Sequence, residues 1–79
     1  MSKFYNELIN IITQTVNDVT INEEDYDTNI RDLGIDSLDM FTILLDLEEK
    51  YGIKFNEEEI EKLNTVNLIV KYLSENINN

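Results

Sequence analysis

Apolar residues recur at three- and four-residue intervals along most of this chain, with polar residues between them, so the pattern predicts helices rather than strands. Phe4, Leu8, Ile11 and Ile12, flanked by Tyr5, Ile9 and Val16, predict a first helix over residues 3–17. The periodicity then dissolves. From Asn17 to Leu33 the chain is acidic and turn-rich, which reads as a long loop with room for one short turn of helix. At about 15 residues this connection exceeds most found inside compact domains, so it is expected to pack through Val19, Ile21, Tyr26, Ile30 and Leu33.

Turn and capping chemistry marks the next boundary. Gly34 can take a positive φ, and Asp36 can cap the free N–H groups of a helix that starts near Ser37. Asp39, three residues after Asp36, approximates a capping box, while Ile35 and Met40 have the spacing of a hydrophobic staple. Gly52, after Tyr51, supplies the stop. Asn56 followed by EEEIEKL predicts a short acidic third helix ending near Lys62, its charge placed where the helix dipole favours it. Asn64 or Thr65 can cap a fourth helix with Val66, Ile69, Val70, Leu73 and Ile77 on one face, and Asn78 and Asn79 are expected to fray. The expected fold is an all-α, small four-helix bundle, with three longer helices, one short one and a long loop between the first and second.

The second helix carries more apolar surface than a bundle needs. At about 100° per residue, Met40, Ile43, Leu44, Leu47 and Tyr51 form one stripe, while Asp39, Thr42, Asp46, Glu49 and Lys50 form a polar face. Leu38, Phe41 and Leu45 make a second apolar stripe that ends at Glu48. A bundle helix ordinarily needs only one. The extra stripe either packs under the long loop or docks a partner, with acidic neighbours steering a basic surface. Ser37 stands at its N-terminal end, where an attached group would be presented beside such a contact.

Composition narrows the chemistry. The 79 residues fit one small domain, residues 1–79, with no room for a second core. Six basic against seventeen acidic residues give a formal charge of -11, which disfavours nucleic acid and anionic membranes and favours basic protein partners. No segment approaches roughly 18 consecutive apolar residues, so stable membrane insertion is not expected. The N-terminal stretch lacks the features of a secretory signal, and a cytoplasmic monomer is the expectation. There is no cysteine, hence neither a disulfide nor a thiolate nucleophile, and no histidine to act as a base for Ser37. The lysines sit in acidic contexts, and a carboxylate at a surface helix end, as at Asp36 or Asp39, is too weak a base for the task. No catalytic residue and no resident metal site are assigned. Read alone, a serine at a helix start is most often a cap.

Its context is more specific. The stretch DLGIDSLDMFTILLDLEEKYGIKF resembles the phosphopantetheine-attachment region of acyl carrier proteins, in which a G-x-D-S-L segment opens the second helix. The resemblance runs over nearly the whole chain, through the amphipathic first helix, the long loop, the LEEKYGIKF helix end, the acidic EEEIEKL segment and a final helix beginning TVNLIVKYL. It implies that Ser37 is an acceptor rather than a catalyst. A separate phosphopantetheinyl transferase would supply the base and a metal ion, and the Ser37 hydroxyl would attack the pyrophosphate of coenzyme A, forming a phosphodiester with 4'-phosphopantetheine. The thiol of that arm would carry acyl groups, in fatty-acid synthesis or a related lipid or polyketide route.

Further assignments follow from the resemblance alone. It implies a recognition surface for the transferase and for acyl-transfer and synthase enzymes with basic docking surfaces, made of Asp36, Leu38, Asp39, Phe41, Leu45, Glu48 and Glu49, with Glu57 and Glu61 contributing. An acyl pocket between the helices would involve Ile43, Leu47, Phe55, Ile60 and Leu63. The chain departs from fatty-acid carriers at Thr42, where glutamate is typical, at Asp46, where a small or apolar residue is usual, and at Asn56, which takes a turn that commonly holds proline. These changes alter the partner-facing charge pattern and leave a specialised polyketide or aminoacyl route open.

Two readings of other classes compete. Asp25 to Asp36 places oxygen ligands at the first, third and fifth positions of a twelve-residue window like that of a calcium loop, but Ile30 and Asp36 stand where glycine and a bidentate glutamate belong. Alternatively the chain is an unmodified helical adaptor, in which Ser37 only caps and the Leu38, Phe41 and Leu45 strip binds a partner.

Overall fold

The computed structural model describes residues 3–77. Among these residues there is no strand. Helix α1 spans Lys3–Thr15, α2 Ser37–Tyr51, α3 Glu57–Lys62 and α4 Val66–Asn76, with two short 3-10 turns, Glu23–Asp25 and Ile30–Leu33, between α1 and α2. The fold is an all-α, small four-helix bundle. The expectation for Asn78 and Asn79 lies outside the described residues.

Helix α1 ends two residues before the expected Asn17. Thr15 and Val16 are β-branched, and the Asn17–Asp18 pair that follows favours a turn; Asp18 takes the left-handed region at φ 66°. On the inner face Phe4, Leu8 and Ile12, one turn apart, are buried.

The long loop holds two short turns where one was expected. Asp25 accepts the Asn22 N–H at 3.0 Å and closes the first. In the second, the Asn29 side chain accepts the Arg31 N–H at 2.9 Å, and Gly34, at φ 90°, ends the turn by donating its N–H to the Arg31 carbonyl at 3.1 Å. Ile30 is buried in the core, and Val19, Ile21, Tyr26 and Leu33 pack against it, as expected of a connection this long. Backbone bonds tie the loop to the far end of the chain. Ile30 N–H donates to the Asn64 carbonyl at 2.9 Å, and Asn67 N–H to the Tyr26 carbonyl at 3.0 Å.

The caps explain the remaining boundaries. The Asp36 carboxylate accepts the Asp39 N–H at 2.9 Å, the forward half of the expected box. Gly52, at φ 67°, stops α2. At α3 the box is complete: the Asn56 side chain accepts the Glu59 N–H at 2.8 Å and Glu59 accepts the Asn56 N–H at 2.9 Å. Thr65, not Asn64, caps α4, through the Leu68 N–H at 3.1 Å, and the Asn64 carbonyl accepts the Ile30 N–H instead.

One core joins these elements. Ile43, Leu44 and Leu47 of α2 share one buried cluster with Leu8 and Ile12 of α1 and Val66, Ile69 and Leu73 of α4, and among the described residues no polar side chain is buried with them. Helix α3 contributes less, with Ile60 half-buried and Leu63 just beyond its end buried. Phe55 stacks obliquely on Tyr72 at 5.2 Å, and the Tyr72 phenol bonds to Glu59, joining the α2–α3 connection and α3 to α4. No helix among the described residues is long and apolar enough to cross a membrane.

Candidate functional site at the start of the second helix

Ser37 is the first residue of α2 and lies exposed on the surface. Three neighbours determine its position. Gly34 turns the chain through a conformation that side-chain-bearing residues resist, Ile35 anchors it by full burial, and Asp36 secures the free N–H of Asp39. The hydroxyl is therefore held on a rigid mount while remaining open to approach. Its side-chain neighbour is Arg31 of the second short turn, whose Nη2 lies 3.5 Å from Ser37 Oγ.

A cleft of roughly 420 Å³ opens beside Ser37, between the second short turn, the first turns of α2 and the end of α3. Ile30, Ile35, Met40, Phe41, Ile60 and Leu63 give it apolar walls, with Arg31, Asp36 and Glu61 among its polar lining. Ile60 and Leu63 of the expected pocket residues line this cleft. Ile43, Leu47 and Phe55 do not: the first two are completely buried in the core, and Phe55 is buried against Tyr72.

Leu38, Phe41 and Leu45 lie on the outside. They are 77%, 53% and 45% exposed, so the second apolar stripe of α2 does not pack under the loop. The loop instead spends its apolar side chains on the core, leaving nothing to cover the strip. Of the acids expected to flank it, Asp36, Glu49, Glu57 and Glu61 are exposed and Asp39 is half-buried. Glu48 has a second engagement, because one of its carboxylate oxygens accepts the Phe55 N–H at 2.8 Å and fastens the α2–α3 connection. The Thr42 hydroxyl donates to the Leu38 carbonyl at 3.1 Å, so this position adds no charge to the strip.

The arrangement does not equip Ser37 as a nucleophile in its own right. The chain has no histidine, and the group that reaches the hydroxyl is a guanidinium, which donates hydrogen bonds and cannot take a proton. Asp25–Asp36 folds as parts of two short turns with Ile30 in the core, which is not the geometry of a calcium loop, and no group of three or more acidic, histidine or cysteine side chains converges among the described residues.

Comparison with known proteins gives the chain's family. A family model described as the phosphopantetheine attachment site matches residues 7–73. The acyl carrier protein of Coprothermobacter proteolyticus is 32% identical over 78 residues, covering 95% of this chain and 92% of the relative. This chain belongs to the acyl carrier protein family. Its likeness to the acyl carrier protein of Helicobacter acinonychis is higher, 45%, but over 47 residues that span 60% of the length of each protein. That of Thermotoga maritima is 40% identical over 48 residues, 61% of this chain and 59% of the relative. Phosphopantetheine is the prosthetic group of the family, and family members carry acyl groups rather than transform them.

Two features of this carrier-family site escape sequence reasoning. Arg31 stands six residues before Ser37 in an apparently irregular loop, and only the folded second turn brings the two together. Ile30, Ile35 and Met40 were legible as core or staple residues, yet each also shows a side to the cleft.

Proposed function

We propose that Ser37 is the residue that takes 4'-phosphopantetheine, and that residues 1–79 form one carrier domain acting as a cytoplasmic monomer in fatty-acid synthesis or a related acyl-assembly route. The observation that carries this reading is the position of Ser37: exposed at the first residue of a capped helix, within the matched region, and at the rim of an apolar cleft.

In the attachment step, Ser37 Oγ forms a bond to the pantetheine-side phosphorus of coenzyme A. The pyrophosphate P–O bond breaks, adenosine 3',5'-bisphosphate departs, and the hydroxyl proton goes to a base of the transferase, which the chain itself does not supply. The arm, once attached, provides a thiol for acyl thioesters. This chain's part is to hold the acceptor hydroxyl still and accessible. Asp36 fixes the helix start, Gly34 sets the approach, and Leu38, Phe41 and Leu45, with acids around them, offer a desolvatable strip to enzymes with basic docking surfaces.

The test is the intact mass after incubation with coenzyme A and a broad-specificity phosphopantetheinyl transferase. The wild-type chain is expected to gain one phosphopantetheine group and Ser37→Ala none. A wild-type chain that stays unmodified would overturn the carrier reading in favour of a helical adaptor that uses the same exposed strip.

A further inference from the structure

Arg31 stands out among the polar groups near Ser37. It is the chain's single arginine, one of six basic residues against seventeen acidic ones, and the one cation among the residues that line the cleft. Its backbone is held on both sides. The Asn29 side chain accepts its N–H at 2.9 Å, its carbonyl accepts the Gly34 N–H at 3.1 Å, and the preceding Ile30 is buried and bonded to Asn64 at 2.9 Å. From that anchored position its guanidinium extends to within 3.5 Å of the Ser37 hydroxyl. It also borders a second, shallower depression at the same turn, lined by Gly34, Ile35, Asp36 and Ser37.

A contact of this length between a guanidinium and a neutral hydroxyl is at the outer limit of a hydrogen bond and does little by itself. Its value changes if the hydroxyl is esterified. A phosphodiester on Ser37 Oγ would carry one negative charge shared by two non-bridging oxygens, acceptors that the same planar donor could reach. Without Arg31 that anion would face Asp32, Asp36 and Asp39 in the flanking sequence. We propose that Arg31 is a positioning residue for the prosthetic arm: its guanidinium grips the phosphodiester formed at Ser37 and holds the root of the arm against the mouth of the cleft walled by Met40, Phe41, Ile60 and Leu63.

This inference rests on the attachment reading above, and it goes beyond it in naming the group that fixes the arm. The contact is weak in the unmodified chain and becomes a charge-assisted pair on modification. It is also exposed, so salt should loosen it, since the screening length falls to about 3 Å at 1 M.

The test uses the full chain as wild type, Arg31→Gln and Arg31→Lys, each loaded with phosphopantetheine and checked by intact mass, with phosphorus NMR as the readout. Arg31 is exposed, so all three are expected to melt alike. In the wild type at low salt the phosphodiester resonance should be displaced and motionally restricted relative to Arg31→Gln. Arg31→Lys should recover part of the difference, and 1 M salt should erase it. The Arg31 Nε–H should exchange several-fold more slowly in the loaded wild type than in the unmodified chain. Loaded wild type and Arg31→Gln with the same phosphorus shift and mobility at low salt would overturn this inference alone. A wild-type chain that gains no group would overturn the attachment reading, and this one with it.

Discussion

The Tyr5 phenol of α1 donates a 2.6 Å hydrogen bond to Asn67 Oδ1 at the start of α4, joining residues near opposite ends of the chain. Asn67 is the centre of a wider clamp. Its Nδ2 donates to Asp27 at 2.7 Å, its N–H donates to the Tyr26 carbonyl at 3.0 Å, and the Tyr26 ring stacks on Tyr5 at 5.0 Å. The loop that delivers Arg31, Gly34 and Asp36 to Ser37 is thus held in part by the backbone and side chain of Asn67 in α4. Asn67→Ala keeps the backbone bond and removes both side-chain bonds, at about 0.5–1.5 kcal/mol each. The expected result in urea denaturation is a loss of about 1–3 kcal/mol, accompanied by faster amide exchange through residues 23–33.

Gly34 tests the mount itself. A methyl group there would meet nothing within 4 Å, so Gly34→Ala creates no clash, but φ 90° is a region that side-chain-bearing residues resist. The expected cost is about 1–2 kcal/mol from the backbone alone. Gly34→Asn should cost less, because asparagine tolerates the left-handed region. Melting curves of the two variants check the order.

Tyr72 gives the pH dependence. Desolvation by burial raises its phenol above the ordinary 10.0, and the hydrogen bond and negative charge of Glu59 raise it further. A group whose folded value is raised contributes stability that is complete below the unfolded value and is lost as pH rises through the folded one. Stability should therefore fall as pH climbs past about 10, where the unfolded phenol ionises. Tyr72→Phe should flatten part of that decline, as read from urea midpoints at pH values on either side.

Helix α2 should separate folding from recognition. Leu47 is completely buried and Leu38 is 77% exposed, although both are leucines on one helix. Leu47→Ala is expected to cost about 2–5 kcal/mol. Leu38→Ala and Phe41→Ala should stay within about 0.5 kcal/mol of wild type. The same two surface variants should lower kcat/KM for phosphopantetheine transfer about tenfold, mainly through KM, the order of one lost hot-spot contact.

Most of the helices were legible because their signals are local. Gly34, Asp36 and Gly52 bracket α2 by backbone and capping chemistry, and the spacing of Val66, Ile69, Val70 and Leu73 carries α4. The two short turns of the loop were less visible. Their order depends on bonds from Ile30 to Asn64 and from Tyr26 to Asn67, which span more than thirty residues and leave no periodic trace. The two stripes of α2 could be told apart by angle, but their fates could not, since nothing local says that the loop would leave Leu38, Phe41 and Leu45 uncovered. The cleft was only partly legible for the same reason. Ile60 and Leu63 were placed by resemblance, whereas Arg31 meets Ser37 through a turn whose geometry emerges only on folding.

The central claim is that Ser37, among the chain's three serines, is the acceptor. Fragmentation mass spectrometry of the chain after reaction with coenzyme A and a phosphopantetheinyl transferase tests it most directly. The account predicts one phosphopantetheine group, carried by every fragment that contains Ser37 and by none that contains only Ser2 or Ser74. A group mapped to Ser2 or Ser74, or no group at all, would contradict it.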